Sequence, residues 1–476
     1  MNAEALKMTP ALLERDVANF AIDSRDVQAG DVFFALAQPD YANNGFNGDF
    51  EDATKFVNSA FEKGAAACVV RPDKFAEYSS ELKLFENRLI VVDDAIAALQ
   101  QLAHEVYLQW NKPVVAITGS AGKTTAKEIT AHVLQSSGRK VLRNIKNYNN
   151  GLGLPLTVLN LAKDNSYDIA VLEMGMSTPM NEIQRLTKIT PPDVAVVLNV
   201  LPVHVEHLGS IENVAKAKAE IVEGMKDGGT AVLNADNFFA AAMSVLSKGK
   251  TITFGIHSPA DIKASNIEFP RFGETKFTLK TPDGEAIVMF PLNGRHNILN
   301  ALAAAAVGHS LGMMVSEIAD SLQTVAPPSQ RGEVLRFADG FTVINDSYNS
   351  NPAALLSMVD TLIEGGANAA RRIVVAGEML ELGSGEIAQH RNVGREIAGG
   401  GIDMLVGVRG LAAEMIDAAK NAGMANAVFT EISEAAAEFL AGEIRTGDVV
   451  LIKGSRGVRT EKVIEKLLEK FELEKE

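Results

Sequence analysis

The sequence predicts an α/β protein of three domains built on parallel sheets. Apolar runs of strand length alternate with helix-length segments through most of the chain, the pattern of parallel strands joined by crossover helices. In the middle these runs are "VVAITG", "IAVLEMG", "VAVVLNV" and "TAVLNAD", and near the C-terminus "RIVVAGEML", "IDMLVGVRG" and "DVVLIKGSRG" repeat the theme. A chain of 476 residues is about three domain lengths. Two seams divide it. "WNKP" (Trp110 to Pro113) parts a helical segment from the first central strand. "VAPPSQRGE" (Val325 to Glu333) carries paired prolines, which cannot continue a helix. The expected domains are residues 1–111, 112–326 and 327–476, with no solenoid repeat and no low-complexity tail.

Composition narrows the function classes. The chain is 47% hydrophobic and 22% charged, with a formal net charge of -15. That balance argues against a nucleic-acid or anionic-membrane surface, both of which need basic patches. Cys68 is the single cysteine, so no intrachain disulfide forms, and a reducing compartment is expected. In "GAAACVV" it reads as a small core residue. The start, "MNAEALKMTPALLERD", lacks a basic stretch followed by an apolar run, so no signal peptide is expected. No run of about 20 apolar residues is present; "ALAAAAVGHSLGMMV" is broken by His309. A cytoplasmic protein without membrane insertion is the expectation.

The chemistry concentrates in "PVVAITGSAGKTTAKEIT", Pro113 to Thr130. The usual phosphate-loop template places a glycine where this chain has Ile117. The context is nevertheless that of a phosphate loop: "VVAIT" reads as a buried strand and "TAKEITAHVLQSSG" as a helix ending at Gly138. Gly119, Ser120, Ala121, Gly122, Lys123, Thr124 and Thr125 therefore occupy a strand-to-helix turn. There the backbone N–H groups and roughly half a positive charge of macrodipole favour phosphate. Gly119 and Gly122 let the backbone bend where a Cβ would clash. Lys123 would neutralise terminal phosphates, and the Thr124 hydroxyl would hold Mg²⁺. A plain glycine turn with an exposed lysine is the blander reading.

Oxygen ligands for Mg²⁺ should lie at neighbouring strand ends. "DIAVLEMGMS" supplies Glu173 there, and "VAVVLNVLPVHVEHLGS" supplies His204 and His207 just beyond another strand. A lone strand-end glutamate is more often an ordinary loop residue. In "IENVAKAKAEIVEGM", Lys216 and Lys218 sit on an amphipathic helix, where lysines commonly form a solvated face.

"TGSAGKTT" resembles the shorter loop of the Mur ligases, the ATP-dependent amino-acid ligases of peptidoglycan synthesis, and of their folylpolyglutamate synthase relatives. The order of loop, Glu and His along one sheet is similar too. The resemblance implies metal contacts from Thr124, Glu173 and His204, with His207 in support. "AKAKAEI" resembles the family segment whose lysine is carbamylated by CO₂ and ligates a second Mg²⁺; the A-K-x-x-I spacing selects Lys218. An ammonium about 4 Å from a divalent ion would be repelled by roughly 8 kcal/mol at an effective dielectric near 20. Carbamylation turns +1 into -1. Lys123, His204 and Lys218 are the implied catalytic set.

"PLNGRHNILNALAAAAVG" resembles the family's nucleotide segment and implies His296, Asn297 and Asn300 at ATP, since an amide offers donor and acceptor together. For Asn297 a helix cap stands beside that reading. "SQRGEV" and "TVINDSYNSNPAAL" imply Arg331 on the ATP phosphates across a domain cleft, and Asp346 at the ribose or phosphates. "GEMLELG" and "KGSRGVRTEKVI" complete a Rossmann-like C-terminal domain without GxGxxG, so no dinucleotide is expected there.

"AIDSRDVQAGDVFFAL" resembles the first domain of the family, which holds the UDP end of the muramyl substrate. The resemblance implies substrate contacts from Ser24 and Arg25; Asn149 and Asn150 are further substrate candidates, and position in the chain makes Tyr348, Asn349 and Arg456 candidates for the dipeptide. "AQPDYANNGFNGDFEDATKF", residues 37–56, departs from the family by being longer and lacking histidine, which implies different local contacts to UDP. Ser350 stands where alanine is frequent.

"NDSYNSNP" and "GEMLELG" are most similar to the family member that joins D-alanyl-D-alanine to UDP-muramyl tripeptide. The "DNPR" of the ligase that adds the third residue occurs nowhere. The implied enzyme is a monomer that uses ATP as cosubstrate, two Mg²⁺ ions and an acyl phosphate. A folylpolyglutamate synthase-like ligase would need a pterin site in place of the first domain. A non-catalytic phosphate-loop switch would have no joint need for Glu173, His204 and Lys218.

Overall fold

The structure, a computed structural model, describes residues 17–145, 147–176, 181–202, 208–326 and 329–474. His204, His207 and the paired prolines Pro327 and Pro328 lie outside the described residues.

Three sheets follow one another along the chain. The first is parallel, in the order β1 (Phe20–Ala21), β2 (Val32–Phe34), β3 (Ala67–Val70), β4 (Leu89–Val91). Residues 37–56, the departure noted above, pack as an ordered part of this unit. Asp40 is fully buried and accepts hydrogen bonds from Ala37 N (2.8 Å) and Ala95 N (2.9 Å), with Arg71 at 3.1 Å. Tyr41 stacks on Phe50 with ring centroids 3.9 Å apart.

The helix Ala95–Trp110 follows, opened by the Asp94 carboxylate, which accepts from Ala97 N, and closed at Asn111 in the left-handed region. Its apolar residues belong to one core that also takes in β2 and a face of the second sheet. Polar atoms along it reach the central unit: Gln100 Nε2 donates to Gly151 O (2.9 Å) and Trp110 Nε1 to Tyr167 O (3.0 Å).

The second sheet has nine strands, β5 (Val114–Thr118), β6 (Val141–Arg143), β7 (Ile169–Glu173), β8 (Val194–Val197), β9 (Thr230–Asn234), β10 (Lys250–Gly255), β11 (Ile262–Arg271), β12 (Glu274–Thr281) and β13 (Gly284–Phe290). Their order is β13-β12-β11-β10-β9-β8-β5-β7-β6. Every residue of β5 is buried, as a strand covered by helices on both faces requires. The helices Lys123–Ser136 and Arg295–Ser310 cover one face, and Ala95–Trp110 with Ile211–Glu223 the other. The chain leaves β5 for the outer β6, returns through β7 and crosses to β8. The C-terminal end of β5 is therefore a topological switch point, where open α/β sheets bind ligands.

The apolar runs foresee β5, β7, β8 and β9 but not the antiparallel ribbon of β11, β12 and β13. Its strands bury one face only. In β12, Thr275, Phe277 and Leu279 are inside, and the residues between them are less buried, so no continuous apolar run marks it.

The third sheet runs β14 (Glu333–Arg336), β15 (Thr342–Asp346), β19 (Asp448–Lys453), β16 (Arg371–Gly377), β17 (Met404–Val408), β18 (Ala427–Thr430). All its pairings are parallel except β14 with β15.

Candidate active site

The loop after β5 turns into its helix at Gly122, whose φ of 83° lies in the left-handed region. A Cβ there would also come within 2.6 Å of Asn300 Oδ1, so glycine is required twice over. Asn199, at the end of β8, clamps the loop tip: Ala121 N donates to its Oδ1 (2.9 Å), and its Nδ2 donates to Ala121 O (3.1 Å). Ser120 Oγ donates to Leu201 O and accepts from Leu201 N. Lys123 Nζ donates to Gly119 O at 2.8 Å, which curls the side chain over the loop.

Glu173 closes β7 beside this turn and is 3% exposed. Its carboxylate accepts from Thr124 Oγ1 (2.7 Å) and Asn149 Nδ2 (2.7 Å). Both partners are neutral, and a buried carboxylate of this kind is stabilised by a nearby cation. Thr124 Oγ1 and Glu173 Oε2 form the oxygen pair Mg²⁺ favours, with phosphate oxygens and water to complete its shell. The donor set fits that ion. Among the described residues no group of three or more His, Cys, Asp or Glu is placed to hold a metal.

Lys218 lies on the helix Ile211–Glu223 and is 2% exposed. Burial holds its ammonium pKa well below the usual lysine value, and repulsion from Lys123 adds to this. Lys123 is itself lowered by burial, with Glu173 opposing the shift and Arg331 adding to it. Packing separates the two lysines of this helix in the same sense as the spacing: Lys216 is exposed, and Lys218 is inside.

Lys123, Thr124 and Glu173 open onto a cleft of ≈ 360 Å³ between the central and C-terminal units. Ser120 to Thr125, Asn149, Glu173, His296, Asn297 and Asn300 line one side; Arg331, Asp346, Tyr348 and Asn349 line the other. His296 is partly buried, and burial lowers its pKa from 6.5 to about 4, so the ring is neutral at ordinary pH. Asn297 and Asn300 are buried, and Asn297 Nδ2 donates to Asn293 O (2.8 Å). Arg331 stacks over the Tyr348 ring at 4.0 Å. Asp346 pairs with Lys453 at 2.5 Å.

Other expected positions fall elsewhere. Ser24 and Arg25 lie on the first unit after β1, where Arg25 pairs with Asp23 at 2.6 Å and is largely exposed. Asn150 Oδ1 accepts from Leu152 N and Gly153 N at the start of the helix Gly153–Val158, a capping role. Arg456 sits 5.5 Å from the Tyr348 ring, outside the cleft lining.

Asn199 and Lys453 escaped the sequence reading. Each is a polar residue ending an apolar run, in "VVLNV" and "VVLIKG", and that was the available signal. Lys453 Nζ also donates to Asn349 O at 2.8 Å.

Comparison with known proteins agrees with this architecture. The Mur ligase middle domain matches residues 117–308 and the Mur ligase glutamate ligase domain residues 330–456. An Escherichia coli UDP-N-acetylmuramoyl-tripeptide–D-alanyl-D-alanine ligase is 35% identical over 94% of this chain and 93% of its own. The chain belongs to the Mur ligase family. Among solved structures, MurF from Acinetobacter baumannii superposes with a TM-score of 0.83 at 29% identity, covering 95% of this chain and 94% of that one. The MurF ligase from Thermotoga maritima in complex with ADP gives 0.79 at 28% identity, covering 97% and 99%. This Mur ligase thus shares its three-unit order with both.

Proposed function

We propose that this Mur ligase joins D-alanyl-D-alanine to UDP-N-acetylmuramoyl-tripeptide, converting ATP to ADP and phosphate. One observation carries the reading. The phosphate loop with Glu173 and the third-unit groups Arg331, Asp346 and Lys453 face each other across a single cleft. Such a site can hold a nucleotide on one wall and approach its phosphates from the other.

The tripeptide's terminal carboxylate oxygen attacks the γ-phosphorus of ATP; the P–O bond to ADP breaks and an acyl phosphate forms. Lys123 and the N–H groups at the helix start stabilise charge spread over the transferring phosphoryl oxygens. Arg331 adds positive charge from the opposite wall. The dipeptide amine then attacks the acyl carbon, loses a proton, and expels phosphate from the tetrahedral intermediate. Water would hydrolyse the acyl phosphate, so the units close before reaction. Thr124 and Glu173 would hold Mg²⁺, which when bound supplies charge neutralisation at the phosphates. His296, Asn297 and Asn300 would contact the nucleotide. His204 would add a metal ligand.

Lys218 is the proposed site of carbamylation. Its depressed pKa favours the neutral amine, whose lone pair attacks CO₂; an N–C bond forms, one proton leaves, and a carbamate carrying -1 results. Ser24 and Arg25 are proposed for the UDP end, with Asn149 and Asn150 nearer the reacting carboxylate and Tyr348, Asn349 and Arg456 for the dipeptide. No helix among the described residues is long and apolar enough to cross a membrane; the enzyme is proposed to act as a cytoplasmic monomer.

The test is phosphate release from Mg-ATP with UDP-muramyl tripeptide, with and without D-alanyl-D-alanine, followed by mass analysis. Release that needs both substrates, with a product heavier by one dipeptide less water, is expected. Release without either, or stimulation by a folate and glutamate instead, would refute the reading.

A further inference from the structure

The β6–β7 ladder ends at the pair Arg143 and Val171. Beyond it the β6 chain turns away, yet Glu173, two residues further along β7, still has a peptide N–H and C=O facing that side. A side chain takes over the missing strand. Asn144, 1% exposed, accepts from Glu173 N at its Oδ1 (3.0 Å) and donates from Nδ2 to Glu173 O (2.9 Å). An amide is suited to this because it presents donor and acceptor side by side, as a backbone would.

The same Nδ2 also donates to Tyr148 O at 2.8 Å. That bond draws in the loop whose next residue, Asn149, donates to the Glu173 carboxylate and accepts from Gly175 N through its carbonyl. From the other direction, Lys127 Nζ donates to the backbone carbonyl of Asn144. Lys127 is 1% exposed and lies one turn after Lys123 on the same helix. One buried asparagine therefore ties together the loop helix, the backbone of Glu173 and the segment that orients its carboxylate.

We propose that Asn144 is a positioning residue, which sets the direction of the Glu173 carboxylate and so the affinity of the nucleotide site for its divalent cation. It touches neither nucleotide nor metal. The inference rests on the reading of Glu173 as a ligand of that cation. Groups that orient a ligand are worth about tenfold or more in metal affinity when removed. An asparagine that only satisfied the end of a sheet would, on removal, lower stability and leave that affinity unchanged.

The experiment uses the full chain with Mn²⁺ as the spin probe, titrated by electron paramagnetic resonance in the presence of ADP. Asn144→Ala and the smaller change Asn144→Ser are compared with the parent, and metal-free ADP affinity and melting temperature are recorded for each. The expected result is Mn²⁺ affinity about tenfold weaker in the alanine variant and intermediate in serine, with ADP affinity unchanged. In turnover, kcat falls, added Mg²⁺ restores part of it, and KM for the dipeptide is preserved. Parental Mn²⁺ affinity in folded variants overturns the positioning role, whatever their melting temperature. Should the alanine variant fail to fold, the serine variant decides. A parent enzyme that takes up no Mn²⁺ with ADP overturns both the inference and the cation reading beneath it.

Discussion

Two titratable residues, Lys218 and His296, show how desolvation prepares chemistry. Lys218 has its ammonium disfavoured by desolvation and by Lys123, which leaves the nucleophilic form available to CO₂. The Lys218→Ala variant should lose at least about a hundredfold in kcat, the scale of an essential charged group, and recover part of it with millimolar acetate or formate. Unchanged turnover, or no recovery with any short carboxylate, would count against carbamylation. His296 behaves oppositely to a salt-bridged histidine. Burial lowers its folded pKa from 6.5 to about 4, so between those values the unfolded chain binds more protons than the folded one. Its contribution to stability is present above pH 6.5 and is lost as pH falls towards 4. Melting curves across this window should fall more steeply for the parent than for His296→Gln; parallel slopes would show that the ring titrates normally.

At the scale of elements, what the sequence revealed followed from whether a signal was local. β5 is five consecutive buried residues, and a doubly covered strand has no alternative but an apolar run. Gly122 and Lys123 were legible because loop chemistry is written in adjacent residues. The ribbon of β11 to β13 was not, since its alternating pattern is diluted by lysines and threonines on the open face. Asn199 and Lys453 were illegible for a different reason. Asn199 meets Ala121 from 78 residues away and Lys453 meets Asp346 from 107, so their roles exist only once the sheets have formed. Even the close packing of the helices Glu386–Gly399 and Ala412–Asn421 hides in one residue. A Cβ on Gly394 would lie 2.1 Å from Met415 O, and in the sequence that glycine reads only as a poor helix former.

At the scale of the whole molecule, the helix Ala95–Trp110 complicates the division expected at residue 111. It packs on β2 and on the second sheet within one continuous core. Its polar atoms are spent on the central unit: Gln100 on Gly151, His104 Nδ1 on Ile189 O at 2.9 Å, Trp110 on Tyr167. Cutting at 111 would uncover an apolar face of the central unit, including Val114 of β5 and Leu154 and Leu161 of the helical segment 153–162, and break those bonds. Apolar area of this kind is worth about 25 cal/mol per Å². A fragment of residues 93–476 should therefore melt higher and stay more soluble than one of residues 112–476. Trp110 is the only tryptophan and is 8% exposed, so the longer fragment can be followed directly. Blue-shifted emission like that of the full chain would show the helix still docked on the central unit without the first sheet. Red-shifted emission, together with equal melting of the two fragments, would return the helix to the first domain and uphold the boundary at 111.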